Sequence, residues 1–447
     1  MNKIYLLKMI LFLICFVPVS LLSQKYNIYQ HTLDNSLDVI VIENSSVPLV
    51  TIEIDVRNGA YTESPEYDGL SHLYEHMFFK ANASIPNQEK YLERSRELGM
   101  VWNGTTSVER VNYYFTIPRD SLEKGIEFMK AAITSPLFLQ EELQRERPVV
   151  TAEYDRAESS PFYQLDREVN KKLWYKYYSR KNVMGDRQII LTADQNKMRT
   201  IQKKYYIPNN SALIVAGDIN HEIVFSLAQN YFSDWKRADD PFKLYPVPEH
   251  PELNESGTVI VEKPVKAITI QIAFQGPSIS KDPKATYAAD VFNYILRQNT
   301  SVFRKHLIES GLCARANLFY YTLDYTGLIN MICQTSVDKF AEAKAAIFAE
   351  IDNFNGTAYI SKEQIEYAKT QLEISEMYSQ ESSSQFIHRI GFWWAISHGN
   401  DYYLNYVDNL KKVSKADIDA YVQTYIQGKP YIMGILISPQ DRKKLSM

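Results

Sequence analysis

Cysteine is scarce in this chain of 447 residues, which contains Cys15, Cys313 and Cys333 alone. A scaffold held together by disulfides is therefore excluded, because it would need a denser set of cysteines. The 49 Lys and Arg are balanced by 53 Asp and Glu, which leaves a formal net charge of −4. Nucleic-acid-binding proteins carry a basic excess, so we expect no nucleic-acid partner. With 45% hydrophobic and 23% charged residues, the composition is that of a folded globular protein.

Long apolar runs are also missing after the N-terminus. Lys3 and Lys8 precede an apolar stretch from Met9 to Leu22, which is shorter than the roughly 20 residues of a membrane-spanning helix. A basic start, a short apolar stretch and a polar end are typical of a secretory signal peptide. We therefore predict a signal peptide over residues 1–23, with an uncleaved anchor as the alternative. The mature protein would be exported and have no stable membrane span. We expect the periplasm, with secretion or membrane association as alternatives.

Cleavage of this signal peptide would remove Cys15 and leave Cys313 and Cys333. These two residues flank a stretch that resembles a β-hairpin. An oxidising compartment would allow them to form a disulfide, and two buried free thiols are the equal alternative.

The mature chain divides into two similar halves, each of which closes with a helix, a turn and a strand. The segment 239–251 between them is rich in proline and lacks periodicity, as expected of a linker. We therefore predict a duplicated α+β fold with an N-terminal domain over 24–238, a linker over 239–256 and a C-terminal domain over 257–447. The closing helices and strands are predicted at 193–206 and 211–216 in the first half, and at 414–426 and 431–437 in the second.

The chemistry of the chain centres on residues 69–80, GLSHLYEHMFFK. In a helix, His72 and His76 lie on the same face and can reach one metal ion. Glu75 lies beside them and can hold a water molecule without being a ligand. Imidazole nitrogen suits zinc, and a catalytic zinc takes three protein ligands, so a third ligand must come from elsewhere in the chain.

This inverted His-x-x-Glu-His motif resembles that of the family of pitrilysin, insulin-degrading enzyme and mitochondrial processing peptidase. The resemblance implies two duplicated domains, each a mostly antiparallel β-sheet packed with α-helices, which together form half of a clamshell. It implies one Zn²⁺ per chain, held by His72, His76 and a third ligand at Glu153 in the stretch EELQRERPVVTAEYDR. Glu146, in the same stretch, matches a family acid that supports the site, although a solvated surface carboxylate is the alternative.

Two further predictions concern the surroundings of this motif. The resemblance places Asn103, Gly104 and Thr105 on a strand that pairs with bound peptide, and an ordinary strand edge is the alternative. Pro148 precedes Glu153 and cannot donate a backbone hydrogen bond. We therefore expect a break or kink near Arg147, with Glu153 on a helix that starts at Pro148.

The second half departs from the family pattern. Single-chain members and zinc-free subunits carry an Arg and a Tyr that reach the substrate, but the matching positions here are Ile308 and Ala314. Neither side chain can donate a hydrogen bond. We therefore expect a zinc-free homologous subunit to supply the Arg and Tyr in a heterodimer, which we favour over a homodimer.

The function implied by the resemblance is a zinc-dependent endopeptidase that hydrolyses unfolded peptides in an enclosed chamber. A zinc-bound water would attack the scissile carbonyl, with Glu75 as the general base. The alternatives are a non-catalytic scaffold or assembly subunit and a peptide-binding protein of the same fold. The other histidines show no ligand-like spacing and are expected to be structural.

Overall fold

The computed structural model of the protein describes residues 27–446. The predicted signal peptide over 1–23 and Cys15 lie outside the described residues. Within them, eleven strands form two β-sheets. The strands of the first sheet are β1 (Asn27–Thr32), β2 (Asp38–Glu43), β3 (Leu49–Val56), β4 (Val101–Thr106), β5 (Val111–Pro118) and β6 (Ser211–Gly217). Those of the second are β7 (Gly257–Glu262), β8 (Ile268–Gln275), β9 (Arg315–Tyr321), β10 (Leu328–Thr335) and β11 (Ile432–Ile437).

The two sheets share one topology. The first has the order β1-β2-β6-β3-β5-β4 and the second the order β7-β11-β8-β10-β9. The order β2-β6-β3-β5-β4 in the first sheet corresponds to the whole order of the second. In each sheet the strand that comes last in the chain pairs in parallel with the first strand of this common order, β6 with β2 and β11 with β7. Every other pairing is antiparallel. The prediction of a duplicated α+β fold is therefore confirmed, and β1 is an addition to the first copy.

The helices follow the apolar periodicity of the sequence, and those predicted at 193–206 and 414–426 are present within a few residues of their expected ends. The segment 239–256, expected to be a linker, contains one short helix. In the first half the helices are α1 (Leu70–Phe78), α2 (Gln88–Glu97), α3 (Leu122–Thr134), α4 (Gln140–Glu158), α5 (Pro161–Leu173), α6 (Arg187–Thr192), α7 (Gln195–Tyr205) and α8 (His221–Phe232), and α9 (Pro241–Leu244) follows. The others are α10 (Pro283–Arg297), α11 (Val302–Arg304), α12 (Phe340–Asn353), α13 (Lys362–Ser379), α14 (Ser383–Ile396), α15 (Asp401–Leu404), α16 (Tyr406–Lys412), α17 (Lys415–Tyr425) and α18 (Pro439–Lys444).

Each sheet buries one face against helices of its own half and the other face against a helix of the opposite half. Helix α14, from the second half, covers the outer face of the first sheet, where Trp394 and Ile390 pack on Ile40 and Ile214. Helix α5, from the first half, covers the second sheet in the same way. Because the second face of each sheet is covered by a helix of the opposite half, each half depends on the other to remove that apolar surface from water.

The expectation of a helix that starts at Pro148 is wrong. Helix α4 runs without interruption from Gln140 to Glu158 and contains Pro148 in its interior. A proline there removes one backbone hydrogen bond, but its fixed φ is compatible with a helix. Contacts on both sides of the proline hold the helix in place, since Leu143 before it and Val150 after it are buried in the first core.

Cys313 and Cys333 are both buried and both free thiols. Between residues 27 and 446, no helix combines the length and the apolar character needed to cross a membrane.

Candidate metal centre

Helix α1 has two faces. Its apolar residues recur at the spacing of one helical stripe and are buried in the first core: Leu70, Leu73, Tyr74, Met77 and Phe78. The opposite stripe carries His72, Glu75 and His76, with the two imidazoles about one turn apart and their ring centroids separated by 5.0 Å. Burial of the apolar stripe therefore determines that these three polar side chains point away from the core.

Glu153 reaches the same point from α4, which packs against α1. Its Oε2 lies 3.5 Å from His72 Nε2 and 3.7 Å from His76 Nε2. One donor atom from each of the three residues lies within 4.8 Å of the others, and no other such group of His, Cys, Asp or Glu occurs in the described part of the chain. The side chains of His72 and His76 are mostly buried, whereas that of Glu153 is 35% exposed, so the centre is open on the Glu153 side.

The donor set fits a zinc ion. Zinc takes imidazole nitrogen and carboxylate oxygen at about 2.0–2.2 Å, which puts neighbouring donors of a tetrahedral site about 3.4 Å apart. The two distances from Glu153 to the imidazoles are close to that value. Three protein donors leave one position of a tetrahedral site free, as a catalytic zinc requires.

Glu146 lies behind His76 and is almost completely buried. Its Oε1 is 2.9 Å from His76 Nδ1, and its Oε2 is 2.6 Å from the ammonium of Lys80. The His76–Glu146 contact leaves Nε2 of His76 free to face Glu153. The side-chain Nδ1 of His72, in contrast, is buried without a hydrogen-bond partner in residues 27–446. Glu146 therefore lies where its carboxylate can orient the His76 ring, and its contact with Lys80 is one that motif reasoning missed.

Glu75 lies between the imidazoles and strand β4. Its Oε2 accepts a hydrogen bond of 2.6 Å from the Thr106 hydroxyl. A Cβ atom at Gly104 would lie 3.0 Å from Glu75 Cγ and 3.2 Å from the carbonyl oxygen of Asn112, so the strand approaches the carboxylate this closely only with glycine at that position. Sequence reasoning singled out Gly104 but not Thr106, which lies two residues further along the same strand.

Strand β4 is the last strand of the first sheet. It pairs with β5 on one side, and on the other side it has no strand partner among the described residues. Asn103 is exposed on this edge, and Thr105 donates a hydrogen bond to the Asn112 side chain. The three residues singled out from the sequence therefore lie on an open sheet edge directly beside the metal centre.

Three ionisable side chains of helix α1 at this centre, His72, Glu75 and His76, have shifted pKa values. Burial, followed by the nearby His76, lowers the pKa of His72 to about 4, which keeps its imidazole neutral with a free lone pair at neutral pH. Burial also opposes ionisation of His76, but the hydrogen bond with Glu146 and the surrounding carboxylates outweigh it and raise the His76 pKa. Burial raises the pKa of Glu75, and it outweighs the hydrogen bond from Thr106, which lowers that pKa.

Helix α1 is held at its N-terminus by Glu63, a further residue that motif reasoning missed. The buried Glu63 carboxylate accepts the backbone N–H groups of Gly69 and Ser71 at 2.7 and 2.6 Å. Two of the unpaired donors that begin any helix are satisfied in this way. The turn that presents His72 is therefore fixed at both ends, by Glu63 before it and by α4 behind it.

The second half contributes no donor group to this centre. Ile308, in a π-helical turn over Lys305–Glu309, packs against the second core, and Ala314 is exposed just before β9. Four of the remaining histidines pair with carboxylates, as expected of structural residues: His221 with Glu43, His306 with Glu350, His388 with Glu53 and His398 with Asp324.

Two family sequence models match the chain. Residues 38–187 match the one described as insulinase, peptidase family M16, and this range contains His72, Glu75, His76 and Glu153. Residues 192–372 match the one described as the peptidase M16 inactive domain. Together the two matches extend from β2 into α13.

Individual relatives are distant. An uncharacterized zinc protease of Rickettsia felis is 24% identical over 377 residues, which cover 83% of this chain and 87% of that protein. The crystal structure of a protease from Helicobacter pylori matches with a TM-score of 0.80 at 19% identity, covering 92% of this chain and 99% of the other. The periplasmic protease PqqL from Escherichia coli matches with a TM-score of 0.76 at 16% identity, covering 93% of this chain but 48% of PqqL. The structural matches establish a shared fold.

Proposed function

The chain belongs to the insulinase family of peptidases, peptidase family M16, and from this premise we propose that it is a zinc-dependent endopeptidase acting on unfolded peptides. One observation carries the proposal. The donor atoms of His72, His76 and Glu153 converge on one point, and Glu75, which is not one of these donors, lies beside them on the same helix face. A scaffold subunit has no use for three converging donors with a separate carboxylate next to them.

In this proposal each residue has one task. His72, His76 and Glu153 hold the ion, which when bound supplies a Lewis acid that polarises the scissile carbonyl and acidifies water. Glu75 accepts the proton of the attacking water and later returns it to the leaving amine. The Thr106 hydroxyl orients the Glu75 carboxylate for both transfers.

The edge of β4 is the proposed substrate site. An extended peptide can add to an open edge through backbone hydrogen bonds, which do not depend on the peptide sequence. Gly104 supports this assignment, because the glycine brings the strand close to Glu75. A peptide paired with Asn103, Gly104 and Thr105 would therefore run past the general base.

Replacement of Glu75 by Gln tests the mechanism. We expect the variant to bind one zinc per chain and to lose hydrolysis by about 10²–10⁴-fold, the usual contribution of a general base. Glu93→Gln, at an exposed position on α2, is the matched control and should hydrolyse like the wild type. Metal content by elemental analysis and cleavage of a quenched fluorescent peptide library are the two measurements. Unchanged hydrolysis by Glu75→Gln would show that this residue is not the base.

A non-catalytic scaffold or peptide-binding protein is the second candidate, favoured by the match of the second half to an inactive domain. That match excludes the residues of the candidate metal centre, which lie in the first half. The assay for this candidate uses wild-type protein with zinc bound and with the partner subunit proposed below. Peptide binding without any cleavage under these conditions would establish the second candidate.

We further propose that a zinc-free homologous subunit completes an enclosed chamber and supplies an Arg and a Tyr. Ile308 and Ala314 occupy the two positions at which this chain would need them. The comparison with PqqL supports a two-part enzyme, since this chain matches 93% of the first half of PqqL and 48% of the whole protein.

Co-purification from the native organism tests the partner. We expect a 1:1 complex with a homologue that lacks the His-x-x-Glu-His motif, and hydrolysis that requires both chains. Full activity of the isolated monomer would refute the proposal, and full activity of a dimer of this chain alone would replace the heterodimer with a homodimer. We also propose export to the periplasm, and a mature N-terminus at Met1 would contradict it.

A further inference from the structure

Lys80 is a buried lysine close to the metal centre. It lies two residues beyond the end of α1 and is 6% exposed, although lysine is almost never fully buried without a partner. Its ammonium lies 2.6 Å from Glu146 Oε2. Nothing in the proposed chemistry uses this side chain, so its burial calls for an explanation.

The contact holds Glu146 at both oxygens. Oε1 faces His76 Nδ1 at 2.9 Å and Oε2 faces Lys80. A carboxylate held at one oxygen can still rotate about its last torsion, whereas one held at both has a single orientation. The direction of the His76 ring, and with it the direction of Nε2 towards Glu153, therefore depends on Lys80 through Glu146.

The backbone around Lys80 is anchored as well. Glu142, one turn before Glu146 on α4, accepts the backbone N–H of Ala81 at 3.1 Å and that of Gln88 at 2.9 Å. Two successive carboxylates of α4 thus hold the segment that follows α1, one through the main chain and one through the Lys80 ammonium. The backbone that carries Lys80 is therefore held beside α4.

Charge gives a second reason for a cation here. Glu75, Glu146 and Glu153 bring three carboxylates to one side of α1, and Glu146 is buried. A buried carboxylate without a partner is strongly unfavourable. Lys80 is the cation that contacts it, at 2.6 Å from Oε2.

We propose that Lys80 is a positioning residue of the metal centre, which fixes Glu146 and through it the imidazole of His76. The proposal rests on the proposed zinc site, but its test does not depend on peptide hydrolysis. Removal of outer-shell partners of metal-binding histidines typically weakens metal affinity by about 10–100-fold.

The test compares zinc dissociation constants of the full chain, measured by competition with a chromophoric chelator at fixed pH. We expect Lys80→Met to weaken zinc binding by about 10–100-fold, and Lys80→Arg, which keeps the positive charge and a donor, to recover most of that loss. Lys90→Met, which removes an exposed lysine paired with Glu93, is the matched control and should bind like the wild type. At saturating zinc, Lys80→Met should lower kcat more than it changes KM.

A double variant separates positioning from a purely structural role. If Lys80 acts through Glu146, Lys80→Met combined with Glu146→Gln should bind zinc about as weakly as Glu146→Gln alone. This neutral pair also serves if Lys80→Met alone does not fold, since it leaves no unpaired charge. The proposal would be overturned if Lys80→Met bound zinc within about twofold of the wild-type affinity. It would also be overturned if the loss of zinc affinity in the double variant equalled the product of the two single losses. Failure of hydrolysis with zinc binding intact would instead count against the proposed enzyme.

Discussion

Replacement of Gly391 by Ala should destabilise the protein, although the same change usually stabilises a helix. Gly391 lies on the face of α14 that packs against the first sheet. A Cβ atom there would lie 2.6 Å from Asp55 Cγ and 2.7 Å from its Oδ1, with Oδ2 closer still. Asp55 is buried beside Arg110, whose Nη1 is 3.3 Å from Asp55 Oδ1. Burial and the neighbouring Glu53 raise the pKa of this carboxyl group. The added methyl group must displace it from its contact with Arg110.

The expected magnitude follows from three terms. Gly to Ala in a helix gains about 1 kcal/mol of stability. Overpacking of a close contact costs about 1–3 kcal/mol, and taking the buried Asp55 carboxyl group away from its Arg110 donor costs about 1–3 kcal/mol. We therefore expect a net loss of about 1–5 kcal/mol in the free energy of unfolding.

Denaturant-induced unfolding, followed by circular dichroism, measures this loss. The matched background is Asp55→Ala, which removes the carboxylate that the methyl group would strike. Adding Gly391→Ala to that background should cost much less than it does in the wild type, because the two sites are in direct contact. A neutral or stabilising effect of Gly391→Ala, or the same cost in both backgrounds, would refute this account of how α14 packs.

Two further predictions concern acid stability and the exchange of helices. Burial, followed by the charges of Lys181 and Arg180, lowers the pKa of His250 to about 3, so between about pH 3 and 6.5 the unfolded chain binds a proton that the folded chain does not. Stability should rise with pH in that window by at most about 1.4 kcal/mol per unit for this group. His250→Phe should flatten the curve in acid denaturation experiments, and an unchanged slope would contradict the shift. A fragment of residues 24–256 should not fold alone, because the outer face of the first sheet loses its cover, α14. Sedimentation and the binding of a hydrophobic dye should detect aggregation of the fragment. A soluble fragment that unfolds cooperatively would contradict this prediction.

Local sequence predicted much of the site. The helix that carries His72, Glu75 and His76 was expected at 69–80 and is present over Leu70–Phe78. The apolar spacing of α1 both forms the helix and turns its polar stripe away from the core. Glu153 came from resemblance and not from spacing, because two ligands separated by so many residues meet only through packing.

Other features lay beyond sequence reasoning. The contacts of Lys80 with Glu146 and of Thr106 with Glu75 join residues far apart in the chain, and neither belongs to a short motif. The interpretation of Pro148 as a helix start was wrong because tertiary contacts on both sides of the proline outweighed a local preference of about 3 kcal/mol.

The sequence by itself predicted a globular, duplicated α+β protein with a helical His-x-x-Glu-His motif. Composition indicates whether a chain folds, and apolar periodicity indicates helices and strands from residues that are close in the sequence. Folding decided which groups meet. It brought Glu153 within 3.5 Å of His72, held Glu146 between His76 and Lys80, and placed an open strand edge beside Glu75. It also exchanged α5 and α14 between the halves. These outcomes depend on burying both faces of each sheet at once, and that is a property of the whole chain.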